Sequence, residues 1–166
     1  MPREFLLKTS NVKSAAENLP QGAEKRSASC VLVVDDEALL RWSVAETLGD
    51  HGWQVTEAAS AQSAMVAFPD IAAASGLVFL DLRLPDSDDL HVLAAMRRLS
   101  PHTPVILMTA HGTPDLAEAA RALGAFAVLD KPFDMGELAP LAERASDHGR
   151  ALLSSNGPVN ITRRMS

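Results

Sequence analysis

With 166 residues, 47% of them hydrophobic, the chain has room for one cored domain plus tails. A formal net charge of −6 argues against nucleic-acid binding by charge alone, and the single cysteine, Cys30, excludes an internal disulfide framework and suits a reducing compartment. Zinc-type Cys/His spacings, a bilayer-long apolar run and a basic-then-apolar secretory start are all missing, so a cytoplasmic protein without membrane contact is expected.

Residues 1–29 are mixed polar, interrupted by Pro20-Gln21-Gly22, and are expected to form a disordered leader. Cys30-Val31-Leu32-Val33-Val34 is then a short β-branched apolar run stopped by Asp35-Asp36, the pattern of a strand buried on both faces. Ala38, Leu39, Trp42, Ala45, Leu48 and Gly49 recur at helical spacing, and Trp53 to Glu57 alternates like an edge strand. Ser60 can cap a short helix carrying Ala64, Met65 and Phe68. Leu77 to Leu80 is a second buried run, ending in Asp81, and a helix from about Asp89 to Leu99 follows, with Leu90, Leu93 and Met96 on one face. Val105 to Met108 is a third buried run, ending in Thr109. Thr113-Pro114 then supplies an N-cap and a first-turn proline for a helix that stops at Gly124. Phe126 to Leu129 is a fourth run, ending near Lys131-Pro132. The last helix is expected to open at Asp134, with Glu137 completing a capping box and Phe133 and Leu138 a hydrophobic staple. Pro140 falls inside that helix and predicts a kink or a late start. Residues 148–166 are expected to form a flexible tail.

Five strands alternating with five helices through short links imply an α/β architecture, a parallel sheet with right-handed crossovers and helices on both faces. Ligands of such sheets bind beyond the carboxyl ends of the strands, and those ends carry Asp35-Asp36, Asp81, Thr109 and Lys131. Three crowded carboxylates repel one another unless a cation sits between them, and magnesium is suited to oxygen ligands of this kind. A lysine and a hydroxyl beside a carboxylate and magnesium are equipped for phosphoryl transfer through an acyl phosphate. Each piece has a plainer reading: a helix cap for Asp35-Asp36, a turn cap for Asp81, a strand-end hydroxyl for Thr109, a solvated Lys131. These readings are independent, and all must hold at once for the chemistry to be illusory.

Val31-Leu32-Val33-Val34-Asp35-Asp36-Glu37, Asp81-Leu82-Arg83-Leu84-Pro85, Met108-Thr109-Ala110 and Lys131-Pro132-Phe133 together resemble the receiver domain of bacterial two-component response regulators, over roughly residues 30–147. Thr109-Ala110-His111-Gly112 and Gly124-Ala125-Phe126 are similar to receivers of the enhancer-binding, nitrogen-regulator type. The resemblance implies a flavodoxin-like, doubly wound sheet of five parallel strands in the order 2-1-3-4-5. It implies that Asp81 is the phosphoacceptor, and that Asp36, Asp81 and the backbone carbonyl of Arg83 ligate magnesium, with Asp35 doing so directly or through water. Lys131, Thr109 and the amide of Ala110 would bind the phosphate, and the Lys131-Pro132 bond would be cis. The implied partners are a sensor histidine kinase or phosphotransfer protein and a downstream effector. Output, and a possible homodimer, would use the face of the fourth helix, fifth strand and fifth helix. Such a domain is a phosphoacceptor rather than an enzyme, limited to magnesium-dependent self-phosphorylation and self-dephosphorylation.

Three positions depart from the family pattern. Val128 stands where the family has an aromatic residue coupled to the threonine. Phe126, two residues earlier, is expected by strand alternation to face the same side, either as its substitute or, the favoured reading, as plain core. Asp89 replaces a glycine, so left-handed backbone is expected there at a small cost. Pro140 is the third. Arg83 and His111, at the site's edge, are candidates for setting phosphate lifetime, with a plain surface position for Arg83 equally open.

Other readings fit less well. A phosphatase of the haloacid dehalogenase class needs a second aspartate where Arg83 stands. A flavodoxin-type carrier needs a phosphate-cradling loop where Asp35-Asp36-Glu37 would repel phosphate. A pseudo-receiver scaffold lacks part of the acidic set, which is complete here. The chain is expected not to bind DNA by itself, whether it stands alone or is the regulatory part of a transcription activator.

Overall fold

The computed structural model describes residues 29–156. The expected leader therefore lies outside the described residues apart from Ser29, as does the tail from 157 onward. The strands are β1 (Cys30–Val34), β2 (Gln54–Ala58), β3 (Leu77–Asp81), β4 (Val105–Thr109) and β5 (Ala127–Asp130). The helices are α1 (Ala38–Asp50), α2 (Ala61–Ala73), α3 (His91–Leu99), α4 (Pro114–Ala122) and α5 (Leu138–Ser155), with a 3₁₀ turn at Met135–Glu137 before the last. All pairings are parallel, in the order β2-β1-β3-β4-β5. Among the described residues no helix is long and apolar enough to cross a membrane.

The continuous apolar runs of β1, β3 and β4 are explained by their burial on both faces. Alternate residues feed two separate cores. Leu32, Val34, Val78, Leu80, Val105 and Leu107 meet α2, α3 and α4, while Val31, Val33, Leu77, Phe79, Ile106 and Met108 meet α1 and α5. The chain leaves β1 toward β2 on one side and returns to β3 on the other, so the strand order reverses between β1 and β3. There Val34 pairs with Leu80, which sets the next residues, Asp35 and Asp81, side by side.

Local signals act as the sequence predicts at several ends. Ser60 accepts from Ser63 N in a reciprocal capping box, and Thr113 caps α4 with Pro114 in the first turn. Gly124, at φ 94°, turns the chain after α4. Pro140 produces the late helix start: Asp134 accepts from Gly136 N to begin only the 3₁₀ turn, and α5 opens at Leu138, so Pro140 sits in its first turn.

Five expectations are corrected. In α1 the buried line is Val44 and Leu48, with Leu40 half-buried a turn earlier; Leu39 and Trp42 lie off it and are 69% and 55% exposed. The last helix does not begin at Asp134, and it continues past 147 to Ser155, its Gly149 packed against Pro104 and the carbonyl of His102. β5 is a half-buried edge strand rather than another fully buried one. Asp89 is not left-handed, since Ser75 is the non-glycine residue with positive φ among those described. Its carboxylate instead accepts from His91 N at 2.9 Å and pairs with the His91 ring, a local side-chain turn that needs no unusual backbone. Finally, Phe126 and Val128 face opposite sides: Val128 packs on the α2–α4 side, Phe126 on the α1–α5 side. The strand starts at Ala127, so alternation does not reach Phe126, whose ring lies 5.4 Å from that of His148.

Candidate phosphoryl-transfer site

Four strand ends converge at the switch point. Asp35 is fully buried and fixed by its backbone: its N–H donates to Ala58 O at 3.1 Å, and Arg41 Nη1 donates to its carbonyl at 2.7 Å. Arg41 is itself held by Glu57, Nε to Oε2 at 3.1 Å, so α1 and β2 jointly brace the end of β1. Both Asp35 carboxylate oxygens are engaged, Oδ1 by Glu37 N at 2.9 Å and Oδ2 by Lys131 Nζ at 2.7 Å. Neither Asp35 nor Asp36 caps α1, whose N-cap is Glu37 without a side-chain bond.

Asp81, 6% exposed at the end of β3, takes Lys131 Nζ at 3.3 Å and accepts from Arg83 N at 3.3 Å. Asp36 is exposed, and one carboxylate oxygen from each of Asp35, Asp36 and Asp81 lies within 4.8 Å of the others. These three residues could hold a metal ion. One ammonium against three carboxylates leaves a formal surplus of two negative charges, which a hard divalent ion with oxygen ligands would cancel.

The electrostatics bear the strain of that crowding. Burial, and then the charge of Asp35, push the Asp81 carboxyl above its ordinary value, against the opposing pull of Lys131 and the Arg83 amide. Burial alone would lower the Lys131 ammonium, but its bonds and charge pairing with Asp35, then Asp81, outweigh it and hold the pKa up. Lys131 is thus a fixed cation just past the end of β5, and its bond to Pro132 is cis, as the resemblance implied.

Thr109, 2% exposed, ends β4; its carbonyl accepts from Lys131 N at 2.7 Å and its Oγ1 from His111 N at 3.2 Å. Ala110 and His111 follow, exposed, at the mouth. Arg83 is exposed in the loop after β3. The structure thus gathers Asp35, Asp36, Asp81 and Lys131 into one cluster with the Arg83 amide, and sets Thr109 beside it in the sheet. Val128 and Phe126 lie on opposite faces of the sheet rather than forming one switch element.

Two residues of this region escape a linear reading. Arg41 reaches back to the Asp35 carbonyl, a contact its place one turn into α1 could have suggested. Asp86, in the loop after β3, accepts from Ala61 N at 2.7 Å and Gln62 N at 2.9 Å; nothing in the sequence links those positions.

Comparison with known proteins agrees with this geometry. Residues 31–143 match the family model described as the response regulator receiver domain. The chain is 35% identical over 140 residues to the DNA-binding transcriptional regulator NtrC of Proteus hauseri, covering 82% of this chain but 28% of that protein. It is 34% identical over 136 residues to the transcriptional regulatory protein PdtaR of Mycobacterium tuberculosis, covering 78% and 62%. The crystal structure of the receiver domain of NtrX from Brucella abortus superposes with a TM-score of 0.64 at 39% identity, over 70% of this chain and 98% of that one. The chain therefore spans about a quarter of the length of its NtrC relatives.

Proposed function

The chain belongs to the response regulator receiver family, and we propose that Asp81 accepts a phosphoryl group from the phosphohistidine of a sensor histidine kinase or phosphotransfer protein. The observation that carries this is the single ammonium of Lys131 lying between Asp35 and Asp81 inside a three-carboxylate cluster at the point of strand-order reversal.

In this reading an Asp81 oxygen attacks phosphorus, an O–P bond forms as the donor's N–P bond breaks, and the departing imidazole takes up a proton. Lys131 leaves its carboxylate partners to bind a phosphoryl oxygen, and the Thr109 hydroxyl and Ala110 amide take others. Asp36 and Asp81, with Asp35 and the Arg83 carbonyl, would hold magnesium, which when bound neutralises charge on the transferring group. Arg83 and His111, both exposed, would influence how long the acyl phosphate survives. In this reading the chain is a phosphoacceptor rather than an enzyme, its catalysis going no further than magnesium-dependent self-phosphorylation and self-dephosphorylation.

The new charge and acceptor oxygens would bias a pre-existing equilibrium of the α4–β5–α5 face, used for a downstream effector or a second copy. With Val128 in place of the family's aromatic residue, Thr109 would turn toward the phosphoryl group without an aromatic partner at that position. We place the reaction in the cytoplasm, with no direct DNA binding by this chain.

The test is intact mass after incubation with acetyl phosphate. A gain of one phosphoryl group that requires magnesium and vanishes in Asp81→Asn supports the reading, and an unchanged mass rejects it.

A further inference from the structure

We propose that Asp86 is a positioning residue for this site, clamping the loop after the phosphoacceptor onto the start of α2 so that the groups beside Asp81 keep their place. The inference rests on the phosphoacceptor reading above and deepens it. The Asp86 carboxylate spreads its two oxygens over the first two amides of α2, accepting from Ala61 N at 2.7 Å and Gln62 N at 2.9 Å. Ser60 already serves the third amide, Ser63 N, so Asp86 supplies what that capping box leaves unmet. Those two amides hold the Asp86 carboxyl below its ordinary value, keeping it ionised, and the negative charge suits a helix N-terminus.

Between Asp81 and Asp86 the loop has little freedom. Arg83 N donates to Asp81 Oδ1 at 3.3 Å. Leu84 is 6% exposed in the core that also holds Ala61 and Ala64 of α2. Leu84 and Ser87 exchange backbone bonds at 2.7 and 3.2 Å, closing a tight turn around Asp86. The loop is thus tied at one end to the acceptor carboxylate and at the other to a different element of the fold. Removing the far tie frees the segment that carries the Arg83 amide and carbonyl, while leaving every carboxylate of the cluster in the sequence.

Magnesium binding to Asp86→Ala, measured by calorimetry with no phosphodonor present, tests this. The variant is expected to bind magnesium about tenfold more weakly. Its acetyl-phosphate reaction should need correspondingly more magnesium for half-maximal rate while nearing the wild-type rate at saturation. Asp86→Asn, which keeps one acceptor oxygen, should fall between the two, and carries the test if the alanine variant does not fold. Ser60→Ala is the control: it removes a cap of the same helix and should lower the melting temperature without changing magnesium affinity. Wild-type affinity in the Asp86 variants, or an equal loss in Ser60→Ala, overturns the proposal and leaves the phosphoacceptor reading standing. A wild-type chain that binds no magnesium overturns both.

Discussion

Lys131 Nζ lies 2.7 Å from Asp35 Oδ2 and 3.3 Å from Asp81 Oδ2, so its tighter partner is Asp35 rather than the proposed acceptor. In this state the lysine is a counter-ion for the fully buried Asp35 as much as a phosphate ligand in waiting. Lys131→Ala should therefore separate two roles. Stability without metal should fall by about 2 kcal/mol, less than for a fully buried pair because the Lys131 side chain is 15% exposed. Phosphorylation should slow roughly 100-fold for want of one charged donor. Magnesium affinity should rise, since a competing cation is gone. Melting curves, phosphorylation rates and calorimetry on one variant check all three, and weakened magnesium binding would contradict this division of roles.

The raised Asp81 carboxyl gives a pH dependence of definite sign. The folded chain holds that proton more tightly than the unfolded chain, so this group's contribution is fully favourable below the unfolded value of about 3.8 and is lost as pH rises through the higher folded value. In chelator at neutral pH, Asp81→Asn should then be more stable than wild type by ~1 kcal/mol, with the difference shrinking toward low pH and on adding magnesium to wild type. Thermal melts across pH, with and without magnesium, check this. A wild type more stable than Asp81→Asn in chelator at neutral pH would contradict it.

Pro140 tests how the chain enters α5. It sits in the first helical turn, where its missing N–H has little to lose. Pro140→Ala should change stability by less than about 0.5 kcal/mol, not the ~3 kcal/mol expected from relieving an interior proline. Denaturant titration distinguishes the two.

Gly76 marks a close approach that no helix or strand pattern announces. A Cβ there would lie 2.7 Å from the Cys30 carbonyl and 2.8 Å from Ile71 Cγ2, where α2 hands the chain to β3 beside β1. Gly76→Ala should cost about 1–3 kcal/mol by overpacking. Acetyl phosphate should still modify the folded fraction, because the acceptor lies at the opposite end of β3. Denaturation and intact mass check the two halves.

What the sequence disclosed followed from its clearest physics. Runs buried on both faces are continuous and β-branched, so β1, β3 and β4 were legible, and polar residues that abruptly end such runs marked the site at Asp35, Asp36, Asp81 and Thr109. Weaker periodicity misled where several apolar residues competed. Leu39 and Trp42 fit the helical spacing of α1, but its inner face belongs to Val44 and Leu48. Alternation puts Phe126 on the side of Val128 only if β5 begins one residue earlier than it does. Asp89 stands where a glycine's backbone is expected, whereas its carboxylate closes a local turn onto the His91 amide. The clamp of Asp86 on α2 joins residues remote in the chain, and a contact of that kind has no periodic signature.

We propose that Asp81, rather than a neighbouring carboxylate, becomes the acyl phosphate. Borohydride reduction of the acetyl-phosphate-treated chain, which converts an aspartyl phosphate to homoserine, followed by peptide mass mapping, locates it directly. Homoserine at position 81, formed only with magnesium present, is the predicted result; the label at Asp35 or Asp36, or on no aspartate, would contradict the account.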